Sequence, residues 1–217
     1  MSPFVMHLAE AAPAYPVEQS TSTGGSSSQV TAHTVTLPTG YSADDVVVVV
    51  FRNAAVGLTA PAGWETLDIS TTSSILLYRV MTGSEDSTIT VTSDDARRSA
   101  WNAYRVSGVA VAEATFIVAV GEFNTFDPPN LTIPWGSGVG SLLITFASTR
   151  RTTNTLIAPS GYGSQLDAVS RADEATGDVR IASAQRTADA ASENPAAWGA
   201  TGDTDAPHAG VIALRAA

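Results

Sequence analysis

One long segment of this chain occurs twice. VTLPTGYSADDVVVVVF (residues 35–51) and LTIPWGSGVGSLLITFA (residues 131–147) align without a gap at an offset of 96 residues (131 − 35 = 96). Each copy begins with an aliphatic residue, Thr, an aliphatic residue and Pro, continues through Gly40 or Gly136, and ends in an apolar run. A repeat of this length indicates two equivalent structural units, so it constrains the fold before any single residue does.

Further motifs recur in the same order. Pro61-Ala62-Gly63-Trp64 reappears as Pro159-Ser160-Gly161-Tyr162 at an offset of 98 (159 − 61 = 98). Ala103-Tyr104-Arg105 reappears as Ala213-Leu214-Arg215 at an offset of 110 (213 − 103 = 110). The growing offset indicates insertions in the loops of the second unit, where insertions are tolerated. We therefore predict two pseudo-repeated halves, residues 30–109 and 110–217.

The segments between turn-rich stretches are typical of β-strands. Asp44-Asp45 precedes five consecutive valines, and a β-branched run bounded by turn residues favours a strand buried on both faces over a helix. Alternation places His33, Val35 and Leu37 on one face of an earlier strand. Further strands are predicted at residues 74–80, 87–92, 99–106, 114–120, 141–147, 178–185, 196–201 and 209–215.

Composition favours the same fold class. The 217 residues are 44% hydrophobic and only 15% charged, and they are rich in Ser, Thr, Gly and Ala, which suits polar β-surfaces better than charged helices. A lone small sheet would leave one hydrophobic face uncovered, whereas two sheets packed face to face cover both. We predict an all-β fold, a single antiparallel β-sandwich of jelly-roll-like type over residues 30–217.

Residues 1–29 differ from the rest of the chain. Two weakly apolar patches, Phe4-Val5-Met6 and Ala14-Tyr15-Pro16-Val17, precede the polar stretch QSTSTGGSSSQ. This pattern predicts an extended N-terminal arm, with a disordered tail as the alternative. An arm of nondescript sequence can add as a strand to the sheet edge of a neighbouring subunit, because main-chain hydrogen bonds supply the affinity. The predicted partner-binding residues of this arm are Phe4, Val5, Met6, Tyr15 and Val17.

Charge and composition exclude several functions. The net charge is −10, and the eleven basic residues are all Arg and scattered, which argues against binding to a nucleic-acid backbone. Without Lys, a Walker phosphate loop and Schiff-base chemistry are absent, and without Cys there are no disulfides or cysteine metal sites. The longest apolar runs are far shorter than the roughly 20 residues that span a bilayer. We expect neither nucleic acid nor membrane as a partner.

The remaining chemical residues form no recognisable catalytic pattern. His7, His33 and His208 lack metal-ligand spacing, and the acidic pairs all fall in predicted turns, where Asp satisfies loose backbone donors. Asp203 and Asp205 leave a calcium site open as an alternative, and a glycosidase carboxylate pair is not visible from sequence. We assign no catalytic, cofactor-binding or metal-binding residue, and no cofactor.

Four tryptophans offer the main alternative, a carbohydrate-binding surface. Trp64, Trp101 and Trp198 are predicted to be core residues, because aromatic side chains are most often buried. Trp135 lies beside Gly136 in a predicted turn, at the position of Thr39 in the first copy. Trp135 is therefore the predicted exposed aromatic and the candidate contact for a glycan.

The succession HTVTLPTGYSADDVVVVVF, APAGW, SILLYRVMTGSED, STITVTS and AWNAYRVSG resembles a family of tailed-bacteriophage virion proteins. In that family a strand ending in Leu-Pro leads to a Gly-Asp-Leu-Leu type of strand, then to P-x-G-W and to a Y-R-V-x-x-G-S-E strand and turn. Here Asp44-Asp45-Val46 replaces the Gly-Asp-Leu form, while residues 78–85 match well. Residues 30–108 carry the stronger resemblance. Residues 129–217 carry a weaker one, with Tyr162 in place of Trp and no Y-R-V-x-x-G-S-E equivalent.

The resemblance implies a non-enzymatic structural protein located in the virion. The expected role is a capsid decoration or cement protein that docks on neighbouring virion subunits and on copies of itself. A tail or fibre component, or an adhesin with a carbohydrate-binding sandwich, is the alternative. A β-sandwich hydrolase is a third hypothesis, although a fold alone does not indicate an activity.

Overall fold

A computed structural model describes residues 14–54, 57–70, 73–111, 116–120, 125–150, 152–171, 177–202 and 205–217. All regular secondary structure in these residues is β, and every strand pair is antiparallel. Buried side chains of two sheets share one hydrophobic cluster. The predicted all-β, antiparallel sandwich is confirmed.

The first sheet contains six strands from the first half of the chain, in the order β1-β6-β2-β5-β4, with the short β3 paired to β6. These strands are β1 (Val17–Thr36), β2 (Val46–Asn53), β3 (Leu58–Thr59), β4 (Glu65–Ser70), β5 (Ser74–Val80) and β6 (Thr88–Ser107).

The second half contains one five-stranded sheet, in the order β11-β12-β9-β15-β7, and two short ladders, β10 with β14 and β13 with β8. Its strands are β7 (Phe116–Val120), β8 (Leu131–Thr132), β9 (Ser141–Thr149), β10 (Thr155–Ile157), β11 (Gly163–Val169), β12 (Arg180–Ala188), β13 (Ser192–Glu193), β14 (Gly199–Thr201) and β15 (His208–Arg215).

The two large sheets have corresponding strand orders. If β1, β6, β2, β5 and β4 are matched with β7, β15, β9, β12 and β11, each pairing among these five strands has a counterpart in the second sheet, while the pairing of β3 with β6 has none. Each half supplies one complete sheet, and its strands do not alternate between the sheets as those of a jelly roll do. Shared ancestry of the halves stays a prediction, now with a specific element-by-element correspondence.

The valine strand lies at the centre of the first sheet. In β2, Val46, Val48 and Val50 pack in the cluster between the sheets, while Val47 and Val49 pack in a second cluster on the outer face. Every residue of β2 is buried. A strand covered on both faces requires a continuous apolar run rather than an alternating one, as predicted.

The predicted boundary at residue 29 is wrong. Residues 17–29 belong to β1, which pairs with β6 from Val17 opposite Ser107 onward. This segment is held by backbone pairing and by close packing: a Cβ on Gly24 would lie 2.4 Å from the Trp101 ring. Backbone hydrogen bonds do not depend on side-chain hydrophobicity, so a Ser/Thr/Gly sequence forms this strand without an apolar pattern.

The Asp94-Asp95 pair, predicted in a turn, lies within β6. The pairing of β1 with β6 shifts register between Ser26 and Ala32, so both strands are irregular there. Such irregularities bend a strand, and the Ser22 hydroxyl accordingly donates to the Thr36 carbonyl of the same strand at 2.6 Å. The bend folds the far ends of β1 and β6 over the outer face of the sheet, where Val35 joins the outer cluster.

Within the described ranges, we find no helix with the length and hydrophobicity needed to cross a bilayer.

Candidate interaction surfaces

The chain enters the sandwich along a seam between the two sheets. Val17 opens β1 in the first sheet and is 53% exposed, and Tyr15 is half-buried. The preceding carbonyl of Ala14 lies so close to Gly140 that a Cβ there would approach it to 2.1 Å. Tyr15 and Val17 thus lie at the surface near the start of β9. Phe4, Val5 and Met6 lie outside the described residues.

Glu18 links this entry segment to the second sheet. Its carboxylate accepts a hydrogen bond from the Gln185 side-chain amide on β12. Partial burial raises the pKa of Glu18, and the hydrogen bond from Gln185 opposes that effect. The start of β1 is therefore fixed to both sheets.

The outward side of β1 is an open sheet edge. Among the described residues, its ladder partners all lie in β6. No residue from Val17 to Ala32 is fully buried, and within that stretch Glu18 is the one acidic or basic residue. The strand contains neither Pro nor Lys, the residues with which proteins commonly block edge pairing.

Trp135 is not the exposed aromatic that the sequence predicts. Its side chain is half-buried against a cluster that includes Leu131 and Ile133, and its indole Nε1 donates to the Ser141 hydroxyl at 2.9 Å. Both its ring and its polar atom are engaged within the sandwich, so the proposed glycan contact at Trp135 loses its basis. Trp64, Trp101 and Trp198 are buried, as predicted.

The two P-x-G-aromatic motifs form matching turns. The backbone N–H of Trp64 donates to the Pro61 carbonyl at 3.2 Å, and that of Tyr162 donates to the Pro159 carbonyl at 3.2 Å. Gly63 has a φ of 76° and Gly161 a φ of 84°, a conformation that glycine adopts without steric cost.

Each of these turns lies next to an Arg–Glu ion pair. In the first half Arg79 Nη2 lies 3.5 Å from Glu85 Oε1, and in the second Arg186 pairs with Glu193. The second half has no Y-R-V-x-x-G-S-E sequence motif, as predicted, but the Arg–Glu ion pair of that motif has a structural counterpart there, with Glu193 in β13. The Arg and Glu are six residues apart in one half (85 − 79 = 6) and seven in the other (193 − 186 = 7), so a gapless comparison misses it.

The carboxylate of Glu85 caps its own turn. It accepts backbone hydrogen bonds from Thr82 at 2.7 Å, Gly83 at 3.0 Å and Ser84 at 3.2 Å. Burial acts to raise the pKa of Glu85, but these hydrogen bonds outweigh it and lower the pKa to about 2. Hydrogen bonds to a carboxylate favour its charged form.

This geometry predicts acid sensitivity. Because the folded pKa is depressed, Glu85 stabilises the fold above its ordinary pKa of 4.5, and that contribution is lost as the pH falls toward about 2. We expect Glu85→Gln to reduce the dependence of unfolding free energy on pH in this range, measured by urea unfolding at several pH values. Glu65→Gln, at an exposed carboxylate, is the control and should leave the dependence unchanged. An unchanged pH dependence in Glu85→Gln would contradict the capping role.

Buried polar side chains connect the sheets. The hydroxyls of Tyr104 and Ser183 are 2.6 Å apart, and Asn102 Nδ2 donates to the same Ser183 oxygen at 2.9 Å. Burial raises the pKa of Tyr104, although the hydrogen bond with Ser183 opposes this. The phenol is therefore neutral at physiological pH and acts as a structural link.

Arg52 is a fully buried cation on β2. Its Nη1 donates to the Ser74 hydroxyl at 3.1 Å and its Nη2 to the Ala206 carbonyl at 3.0 Å, just before β15 of the second sheet. Burial and the neighbouring Arg150 lower its pKa to about 9, an effect that Asp205 partly offsets. Arg52 therefore stays charged at neutral pH and connects the two sheets.

The histidines are part of the packing. His33 is buried on β1, with Nε2 3.0 Å from the Ser93 hydroxyl, and burial lowers its pKa. His208 Nδ1 lies 3.3 Å from the Ser74 hydroxyl across the sheets. His7 and Asp203 lie outside the described residues. In the part of the chain that the structure describes, no three His, Asp or Glu side chains are arranged to hold a metal ion.

Comparisons of the chain with protein-family models, with curated proteins and with solved structures give no match. The resemblance to tailed-bacteriophage virion proteins therefore stays a prediction.

Proposed function

We propose that this chain is a non-enzymatic structural protein of a tailed-phage virion, a capsid decoration protein that docks on neighbouring subunits through its N-terminal edge. The observation that supports this most is the open outer edge of β1. A long edge strand whose ladder partners, in the described part of the chain, lie on one side only, and which has one acidic residue and no Pro or Lys, is a template for pairing with a strand of another chain.

The position of the edge also supports docking. Tyr15 and Val17, predicted from the sequence as contact residues, lie where β1 begins, at the surface between the sheets. A neighbour's strand added to β1 would continue the first sheet, and its side chains would reach the exposed Val17. The arm predicted from the sequence is limited to the residues before Val17, because β1 begins there. In this proposal the edge of β1 in this chain accepts a strand from the neighbouring subunit.

The buried ionisable groups support a structural role. Arg52, Tyr104 and Glu193 are each engaged with groups of the same chain, and the first two connect the sheets. Such contacts resist shearing of the sandwich, which suits a protein exposed on a particle surface.

The proposal predicts that blocking the β1 edge abolishes incorporation without unfolding the protein. Thr23 and Ser27 are exposed on β1, so the double variant Thr23→Lys, Ser27→Lys should fold normally while its charges prevent strand addition. Incorporation is measured by adding purified variant to particles that lack the protein and probing sedimented particles with an antibody. Thr90→Lys, at an exposed position of the internal strand β6, is the matched control.

Normal incorporation of the double variant would contradict docking through this edge. Absence of the wild-type chain from separated heads and tails of purified virions would contradict the virion role itself.

A further inference from the structure

The two P-x-G-aromatic turns have the same backbone hydrogen bond, but the side chains around them make different contacts. In the second half the Tyr162 hydroxyl donates to Glu193 Oε1 at 3.0 Å, and the Arg186 guanidinium lies 5.2 Å from the centre of the Tyr162 ring. Aromatic ring, cation and carboxylate satisfy one another there. The second-half turn is therefore closed by its own side chains.

The first-half turn has a different arrangement. Glu85 is directed to the backbone N–H groups of residues 82–84, and Trp64 has no hydroxyl to donate. A cavity of about 350 Å³ is found here, within the size range of small-molecule sites. Its apolar wall includes Pro61, Ala62 and Trp64, and its polar wall includes Arg79 and Asp86.

Arg79 lines this cavity with N–H donors that a ligand could use. Its side chain is 33% exposed, and among the described residues its polar contact is the 3.5 Å ion pair with Glu85. A guanidinium carries five N–H donors, so most of them are available to acceptor oxygens of a ligand. On the same wall, Thr82 and Ser84 present hydroxyls 3.1 Å apart, and Asp86 presents an exposed carboxylate.

The charge balance selects the class of ligand. Arg79 contributes one positive charge, and Glu85 and Asp86 contribute two negative charges, so the site disfavours phosphate and other strong anions. A ligand that fits must accept hydrogen bonds from Arg79, donate to Asp86 and place an apolar face on the Pro61–Trp64 wall. Vicinal hydroxyls on a saccharide ring provide both donors and acceptors beside apolar C–H groups.

We propose that the cavity between the Pro61–Trp64 turn and Arg79 is a binding site for a neutral saccharide ring. Arg79 and Asp86 bind its hydroxyls, and the apolar wall packs against one face of the ring. The cavity is not lined by residues of β1, so this binding proposal can be correct or wrong independently of the proposed docking function. It also differs from the sequence-predicted glycan contact at Trp135, which the structure places in the packing.

The test is saturation-transfer NMR of the full chain with glucose, galactose, N-acetylglucosamine and rhamnose, each at millimolar concentration. We expect saturation transfer to at least one sugar, and about tenfold weaker binding in Arg79→Met, which keeps the aliphatic stem while losing the hydrogen bonds. Asp86→Asn, at an exposed position that does not endanger folding, should also weaken binding. Arg97→Met, at a 41% exposed arginine away from the cavity, should bind as wild type.

Three results would overturn the proposal. The first is no transfer to any of the four sugars. The second is transfer that neither Arg79→Met nor Asp86→Asn reduces. The third is binding of inorganic phosphate at this site in preference to the sugars, which would mean that Arg79 defines an anion site instead.

Discussion

Val48→Asp and Ile144→Asp are each expected to unfold the whole domain, and to comparable extents. Val48 in β2 and Ile144 in β9 are 0% exposed and belong to the same cluster between the sheets. Each substitution places a carboxylate in this cluster, where no cation or hydrogen-bond donor of the described residues is positioned to pair with it. Burying an unpaired charge costs several kcal/mol, comparable to the roughly 5–15 kcal/mol that stabilises a typical domain.

The equivalence of the two sites follows from their positions. Val48 lies opposite Tyr78 and Tyr104 on the flanking strands, and Ile144 lies opposite Gln185 and Ile212. Both residues are in the middle strand of a sheet, so neither has an edge through which the new charge reaches water. Disrupting the packing of one sheet also destabilises the other, because side chains of both sheets form one hydrophobic cluster.

The measurement is circular dichroism with thermal and urea unfolding. Val17→Asp introduces the same side chain at a 53% exposed position and should retain a native transition. Ile144→Ala is the milder variant, expected to cost roughly 2–5 kcal/mol while preserving the fold. A native-like Val48→Asp beside an unfolded Ile144→Asp, or the reverse, would show that the two strands are not equivalent.

The sequence predicts those parts of the fold that local chemistry determines. The five valines of β2 and the apolar run of β9 indicate strands by composition alone, and both are buried on both faces. The P-x-G turns are predictable because Pro fixes φ and Gly accepts a positive φ. These signals lie within a few neighbouring residues, so a sequence pattern reveals them.

Features that depend on distant partners are not predictable in this way. Residues 17–29 form a strand because β6, far along the chain, supplies backbone partners, and Ser, Thr and Gly give no apolar pattern to reveal it. Asp94-Asp95 has the composition of a turn but occupies a bend within β6. Trp135 resembles an exposed turn residue in the sequence, but its ring packs against a cluster that includes Val211 and Ala213, far along the chain.

The polar contacts between the sheets show the same limit most clearly. The sequence predicts Asp178 as the first residue of a strand, but it precedes β12, which begins at Arg180, and its side chain is fully buried. Its Oδ1 lies 3.1 Å from Arg98 Nη1 of the first sheet, and its Oδ2 lies 3.7 Å from Arg171 Nε. Arg98 lies 80 residues before Asp178 (178 − 98 = 80), in the opposite half, so no sequence spacing indicates this contact.

Asp178→Asn is expected to destabilise the domain by about 3–5 kcal/mol, because it removes the charge of a fully buried carboxylate that contacts Arg98 and Arg171. The amide keeps the shape of the carboxylate, so the loss measures charge rather than packing. Asp95→Asn is the matched control. Asp95 Oδ2 lies 3.7 Å from Arg97 Nη2, and the side chains of Arg97 and Asp95 are 41% and 61% exposed. Such exposed pairs contribute about 0–1 kcal/mol.

Urea unfolding of Asp178→Asn, Arg98→Met and the double variant separates the pair from its surroundings. Because Asp178→Asn removes the charge that Arg98 contacts, Arg98→Met should cost less in the Asp178→Asn background than in wild type. Additive losses would show that the two side chains do not interact across the sheets. A loss in Asp178→Asn no larger than in Asp95→Asn would mean that this carboxylate is solvated, and the sandwich would then be held together by its apolar cluster and the Tyr104–Ser183 contact instead.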